Sequence, residues 1–198
     1  GDGTMRGASL IAEEARRRQL KMSVVGIPKT VDNDIPIIDK SFGFETAVEA
    51  AQDAINSAVT ETQSFPRGVG IVQLMGRLSG FIAMHATLGS RDVDCVLIPE
   101  VAFTLNGDDG LLEFLADKLE ESDKVILVVA EGAGQFDAGD DDSERDASGN
   151  KILKDIGVTI KEEVASYFNA DAAKAHGPRR GPVNIKYCDY QFSSQLVN

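Results

Sequence analysis

Apolar positions along the chain switch repeatedly between a helical and a strand-like period. Residues 7–20, GASLIAEEARRRQL, put Leu10, Ile11 and Ala15 on one side at helical spacing, with Arg16, Arg17 and Arg18 in the last turn, where cations suit the helix dipole. KMSVVGIP (21–28) is a short apolar run that predicts a buried strand. The longest helical signal covers 41–64: Ala47, Val48, Ala51, Ile55, Ala58 and Val59 form a stripe, and Ser41 is a start signal. A strand follows in GVGIVQLMG (68–76), then a helix in SGFIAMHATLGS (79–90) with Ser79 near its start, and a strand in VDCVLIPE (93–100). GLLEFLADKLEE (110–121) predicts a helix and KVILVVAEGAG (124–134) a strand with a continuous Val/Ile/Leu run. FDAGDDDSERDASGNK (136–151) predicts a mobile acidic loop, DIGVTIKEEVASYFN (155–169) a last helix and VNIKYCDY (183–190) a strand.

Apolar strands alternating with helices imply an α/β fold: a doubly wound, mostly parallel sheet with helices on both faces, in one region spanning 1–198. Ligands of such sheets bind beyond the carboxyl ends of the strands. The unusual residues of this chain sit at those ends. The predicted strand 21–28 runs into Lys29, Thr30, Asp32, Asn33 and Asp34, strand 68–74 into Met75, Gly76 and Arg77, strand 93–99 into Glu100, and strand 124–130 into Glu131.

Composition narrows the function classes. At 198 residues, 42% hydrophobic and 26% charged, the chain is ordinary for a globular protein, and no apolar run is long enough to span a bilayer. A cytoplasmic location is the expectation, with organellar targeting left open. The net charge of −12 argues against nucleic acid or an anionic membrane as partner. A local basic cluster can still serve an anionic substrate. Cys95, inside an apolar strand, reads as a reduced structural thiol. His85 and His176 have no partner at a metal-ligand spacing, and the acidic loop lacks the glycine and glutamate of a calcium loop.

Each motif has a plain reading beside a chemical one. GDGTMRG (1–7) is either a turn capped by Asp2, the commoner use, or a phosphate cradle in which backbone N–H groups meet phosphate oxygens while Asp2 holds Mg²⁺. Its glycines are spaced too widely for a dinucleotide fingerprint, and GIPKT lacks the Gly-Lys pair of a P-loop. TVDND (30–34) is either a polar turn with Asx caps or a carboxylate set for proton removal from an alcohol. In the second case Asp32 is the base, Asn33 and Asp34 either orient it or bind metal-bound water, and Lys29 offsets charge on a transferring phosphoryl group. Arg77 in MGR is either a surface ion-pair partner or a bidentate phosphate ligand. Glu131 is either a solvated strand end or an acceptor for sugar hydroxyls.

Taken together, GDGT, PKTVDND, MGR and AEG, in this order and spacing, resemble the phosphofructokinase family over residues 1 to about 190. The resemblance implies an ATP-dependent 6-phosphofructokinase of the plant-like and kinetoplastid-like kind, which moves the γ-phosphoryl of ATP to the 1-hydroxyl of fructose 6-phosphate. Gly3 stands where pyrophosphate users carry Asp, and Lys29 accompanies it in that ATP-dependent subgroup. The resemblance implies Asp32, Lys29 and Arg77 as catalytic residues. Gly1, Asp2, Gly3 and Thr4 would bind nucleotide, with Asp2 on Mg²⁺. Thr30, Val31, Asp32, Met75, Gly76, Arg77 and Glu131 would bind the sugar. It also implies a homo-oligomer, tetrameric in the family. The chain opens at GDGT without the Gly-rich segment expected before it, and its tail QFSSQLVN departs from the family, so the expectation is a chain truncated at both ends. A pyrophosphate-dependent enzyme and a non-catalytic fragment or regulatory subunit of the same fold are the alternatives.

Overall fold

The computed structural model describes residues 1–135, 152–169 and 181–190. The predicted acidic loop 136–151, His176 and the tail lie outside the described residues. Helices and strands alternate: α1 (Asp2–Arg17), α2 (Phe44–Thr62), β1 (Gly68–Leu74), α3 (Phe81–Ser90), β2 (Cys95–Leu97), α4 (Leu111–Ser122), β3 (Lys124–Ala130), α5 (Ile156–Asn169) and β4 (Asn184–Tyr190). The sheet order is β2-β3-β1-β4, and every pairing is parallel.

Strand period 2 sorts the side chains of β1 and β3 into two cores. Val72 and Leu74 of β1 and Ile126, Val128 and Ala130 of β3 face α2 and α3. Val69 and Ile71, with Val125, Leu127 and Val129, face α4 and α5. The predicted α2 stripe is the buried one: Ala47, Ala51, Ile55, Ala58 and Val59 are buried. Both faces are therefore covered, which is what the near-continuous apolar runs of β1 and β3 require. Each fully buried Val, Leu or Ile contributes about 1.5–3 kcal/mol relative to exposure.

One polar side chain is buried in the central strand. Gln73 is 1% exposed, and its Oε1 accepts a hydrogen bond from the Gly157 N–H at 2.7 Å. It thereby satisfies one of the orphan donors at the start of α5. Asp155 caps the same turn through the Val158 N–H (3.0 Å) and accepts from the Tyr187 hydroxyl of β4 (3.1 Å). Partial burial, then the charges of Asp189 and Asp155, push the Tyr187 hydroxyl well above its ordinary range, so it stays a donor. Cys95 and Cys188 are free and half-buried, and burial raises both thiols.

Three expectations are corrected. Residues 21–28 form no strand: Val25 and Ile27 are 84% and 82% exposed. A strand exists only where a neighbour supplies partners for its N–H and C=O groups. The described sheet ends at β2 and β4, and no described strand pairs with 21–28. For the same reason the α1 stripe covers no sheet. Leu10 and Ile11 are 61% and 56% exposed, and only Ala15 of the three is buried. Finally, α2 starts at a Gly43 cap and not at Ser41, whose amide is engaged elsewhere. Among the described residues no helix is long and apolar enough to cross a membrane.

Gln73→Leu keeps the volume but leaves the Gly157 N–H without its acceptor. It is expected to lower the unfolding free energy by about 1–3 kcal/mol with an unchanged m-value, measured by urea denaturation.

Candidate active site

Parallel register aligns the carboxyl ends of β1 and β3, with Leu74 opposite Ala130. The chain leaving β1, Met75-Gly76-Arg77, therefore lies beside the chain leaving β3, Glu131-Gly132. Three bonds fasten them. The Glu131 N–H donates to the Leu74 carbonyl and the Gly132 N–H to the Gly76 carbonyl, both at 3.0 Å. Glu131 Oε1 accepts from the Gly76 N–H at 3.3 Å. The fit depends on two glycines. Gly76 has φ 142°, a conformation side chains resist, and a Cβ at Gly132 would overlap the Arg77 carbonyl oxygen.

A second carboxylate holds the same turn further along. Both oxygens of Glu100, beyond the end of β2, accept from the Gly80 N–H at 2.9 and 3.1 Å. Gly80 caps α3, so a negative charge sits at the positive end of that helix. Arg77 is thus carried on a short turn tied to the ends of two neighbouring strands.

At this rim opens a cleft of about 430 Å³. Gly1, Gly3 and Thr4 of the α1 start line one part. Thr30, Val31, Asp32 and Asp34 line another, and Met75, Arg77, Leu78 and Glu131 complete it. Asp32 and Arg77 are half-buried, as is Glu131. The loop around Asp32 is shaped by its own side chains. Thr30 Oγ1 accepts from the Asp32 N–H at 3.2 Å, and Asn33 Oδ1 accepts from the Ser41 N–H at 2.8 Å. A larger hollow of about 530 Å³ lies beside β2. Its lining is mainly apolar, with Asp109 the only charged side chain in it among the described residues, so the chemistry of the chain is concentrated in the smaller cleft.

Of the residues singled out from sequence, Gly1, Gly3, Thr4, Thr30, Val31, Asp32, Met75, Arg77 and Glu131 meet in the cleft. Gly76 is buried behind them, and its N–H is the one that Glu131 holds. Lys29 is exposed and is not part of the lining, and Asp2 is the first residue of α1. The plain and the chemical readings of TVDND hold for different residues: Asn33 makes the turn bonds, while Asp32 and Asp34 face the cleft. Sequence reasoning passed over Leu78, which lines the cleft, and the grip of Glu100 on Gly80. Position at a strand end pointed to Glu100, but nothing in the sequence shows which amide it meets. His85 lies edge-on to the Phe44 ring, centroids 5.1 Å apart.

The arrangement offers carboxylates, a guanidinium, a hydroxyl and small residues at a helix start around a space open to ligand. That set suits transfer of an anionic group between oxygens, where positioning and charge stabilisation dominate. Among the described residues no cluster of three His, Cys, Asp or Glu could enclose a metal ion.

Comparison with known proteins shows the family. The family profile described as Phosphofructokinase matches residues 1–176. The chain is 58% identical, over all of its length, to the protein named ATP-dependent 6-phosphofructokinase 1 of Arabidopsis thaliana, covering 41% of that protein. It is 50% identical to ATP-dependent 6-phosphofructokinase 4, chloroplastic, of the same organism, again over its whole length and 36% of the relative. The chain thus spans about two fifths of the curated relatives it matches. Among solved structures, a pyrophosphate-dependent phosphofructokinase from Marinobacter aquaeolei superposes with a TM-score of 0.61 at 19% identity, over 93% of this chain and 41% of that one. At that identity the likeness is one of fold.

Gly132→Ala forces a methyl group onto the Arg77 carbonyl and is expected to cost about 1–3 kcal/mol of stability. Gly7→Ala in α1, where a Cβ meets nothing within 4 Å, is expected to be neutral or stabilising by up to about 1 kcal/mol. Thermal unfolding of the two variants side by side checks the contrast.

Proposed function

This chain belongs to the phosphofructokinase family, and from that premise we propose that it carries the reacting centre of an ATP-dependent 6-phosphofructokinase acting in glycolysis. The observation that carries the reading is the cleft itself, where three chain segments bring Asp32, Arg77 and Glu131 within one space beside the small residues of the α1 start.

In this reading Asp32 is the general base. It takes the proton of the fructose 6-phosphate 1-hydroxyl, and the freed oxygen attacks the γ-phosphorus of ATP. The bond to the β–γ bridging oxygen breaks, and ADP leaves. Arg77 balances the charge spread over the transferred group, and Lys29, outside the lining of the cleft, is assigned the same role on family grounds. Thr30, Val31, Met75, Gly76 and Glu131 orient the sugar. Glu131 already spends one oxygen on the Gly76 N–H, which fixes its direction and leaves the other for a hydroxyl. Gly1, Gly3 and Thr4 border the nucleotide, and Gly3 leaves room for the α-phosphate.

Mg²⁺ fits the donor set. This ion keeps mostly water and phosphate oxygens and takes only one or two carboxylates from protein. Apart from the Met75 thioether, the polar groups of the cleft lining are hard oxygen donors and the Arg77 guanidinium, with no imidazole among them. Asp2, at the first turn of α1, is the residue assigned to hold it. When bound with the nucleotide it would neutralise phosphate charge. A tetrameric homo-oligomer and a cytoplasmic location are proposed on family grounds alone, and light scattering tests the first.

Asp32→Ala is expected to lower kcat by about 10²–10⁴-fold while leaving KM for fructose 6-phosphate little changed, in a coupled assay of the protein expressed from its complete natural reading frame. A near-parent rate would remove Asp32 from the role of base. Replacing ATP by pyrophosphate in the same assay is expected to abolish turnover. Turnover with pyrophosphate and not with ATP would overturn the choice of donor.

A further inference from the structure

We propose that Asn33 is a positioning residue: it holds Asp32 and Asp34 in the cleft by clipping their loop to the start of α2. The proposal rests on the phosphotransferase reading above and concerns the same site.

Asp32 and Asp34 both line the cleft, while the residue between them turns away from it. Asn33 has φ 57°, the left-handed region that most side chains avoid and that Asn tolerates. Its amide then spans the loop. Oδ1 accepts from the Ser41 N–H at 2.8 Å, and Nδ2 donates to the Asp39 carbonyl at 3.3 Å. Ser41 is only 8% exposed, so its N–H has little water to turn to, and losing its acceptor is costly. From Ser41 the connection continues into the folded core. Its carbonyl accepts from the Phe44 N–H at the α2 start, Lys40 pairs with Glu45, and Phe44 is buried in the core that packs on β1.

The clip matters because it ties this loop to a packed helix. Residues 21–30 pair with no described strand. The Thr30 hydroxyl shapes the backbone at Asp32 locally, but Thr30 belongs to the same unpaired segment. The link that Asn33 makes to residues 39–41 runs the other way, to a packed helix. Asn is suited to it because one side chain supplies an acceptor and a donor together and accepts a positive φ. Gly would keep the backbone and lose both bonds. Asp would keep the acceptor for Ser41 but place a third carboxylate between two others.

The test compares Asn33→Gly and Asn33→Asp with the parent, each expressed from the complete natural reading frame. Steady-state kinetics are measured over pH, together with hydrogen exchange at the Ser41 amide. For Asn33→Gly, kcat is expected to fall by about tenfold or more with the ATP KM nearly unchanged, and the Ser41 amide to exchange at least about tenfold faster. For Asn33→Asp, Ser41 protection is expected to persist and most of kcat to return at alkaline pH. The acid limb of its kcat/KM profile is expected to move upward, because an added negative charge makes Asp32 harder to ionise. A kcat for Asn33→Gly within about twofold of the parent, or a loss that only mirrors the unfolded fraction, would overturn the proposal. If the parent does not phosphorylate fructose 6-phosphate, the functional reading fails. Ser41 exchange then still judges the clip, and equal rates in parent and Asn33→Gly would sink it.

Discussion

A strand buried on both faces and flanked on both sides has one way to satisfy its backbone: neighbours in register along its whole length. β1 is that strand. All seven of its residues are buried, and it pairs in parallel with β3 on one side and β4 on the other. Parallel pairing sends strand ends to the same rim, and the Leu74–Ala130 register puts the two critical exits level. The proximity of the Arg77 turn and Glu131 follows directly. So does the separation of the apolar side chains into a core under α2 and α3 and another under α4 and α5.

The cleft at that rim is built by carboxylates doing structural work. Glu131 and Glu100 each take a backbone N–H of the turn that carries Arg77, that of Gly76 and that of Gly80 respectively. An acid used this way gives a turn N–H a fixed acceptor. It also presets the geometry before any ligand arrives, which is the condition for electrostatic catalysis. In a chain of net charge −12, recognition of an anion would have to be local. A guanidinium suits that task, since its planar fork loses little freedom per hydrogen bond formed.

The part of the molecule least constrained by the sheet is the part with the most chemistry. The α1 helix and residues 21–30 contribute no residue to either core, and their apolar side chains Leu10, Ile11, Val25 and Ile27 are exposed. Order around Asp32 comes from short-range bonds between side chains and backbone. A loop of this kind is shaped by Thr, Asn and Asp for the same reason that these residues are rare inside helices: they compete for backbone groups.

What the sequence alone determined about this chain is the set of elements with strong, uninterrupted periodicity. α2, α4, α5, β1, β3 and β4 lie where their patterns place them, because each buries a stripe or run that has no other use. The residue types at strand ends were legible too, since polar groups after a buried strand stand out against their surroundings. The family relation was legible in four short motifs. Pairing was not. Whether KMSVVGIP becomes a strand depends on a neighbour, and apolar alternation carries no record of one. Nor could sequence tell that Asn33 bonds Ser41 while its flanking acids face the cleft, or that Glu100 meets Gly80. Those contacts join residues whose relative positions only the packed sheet and helices decide, because a side chain fixes its own period but not its partner.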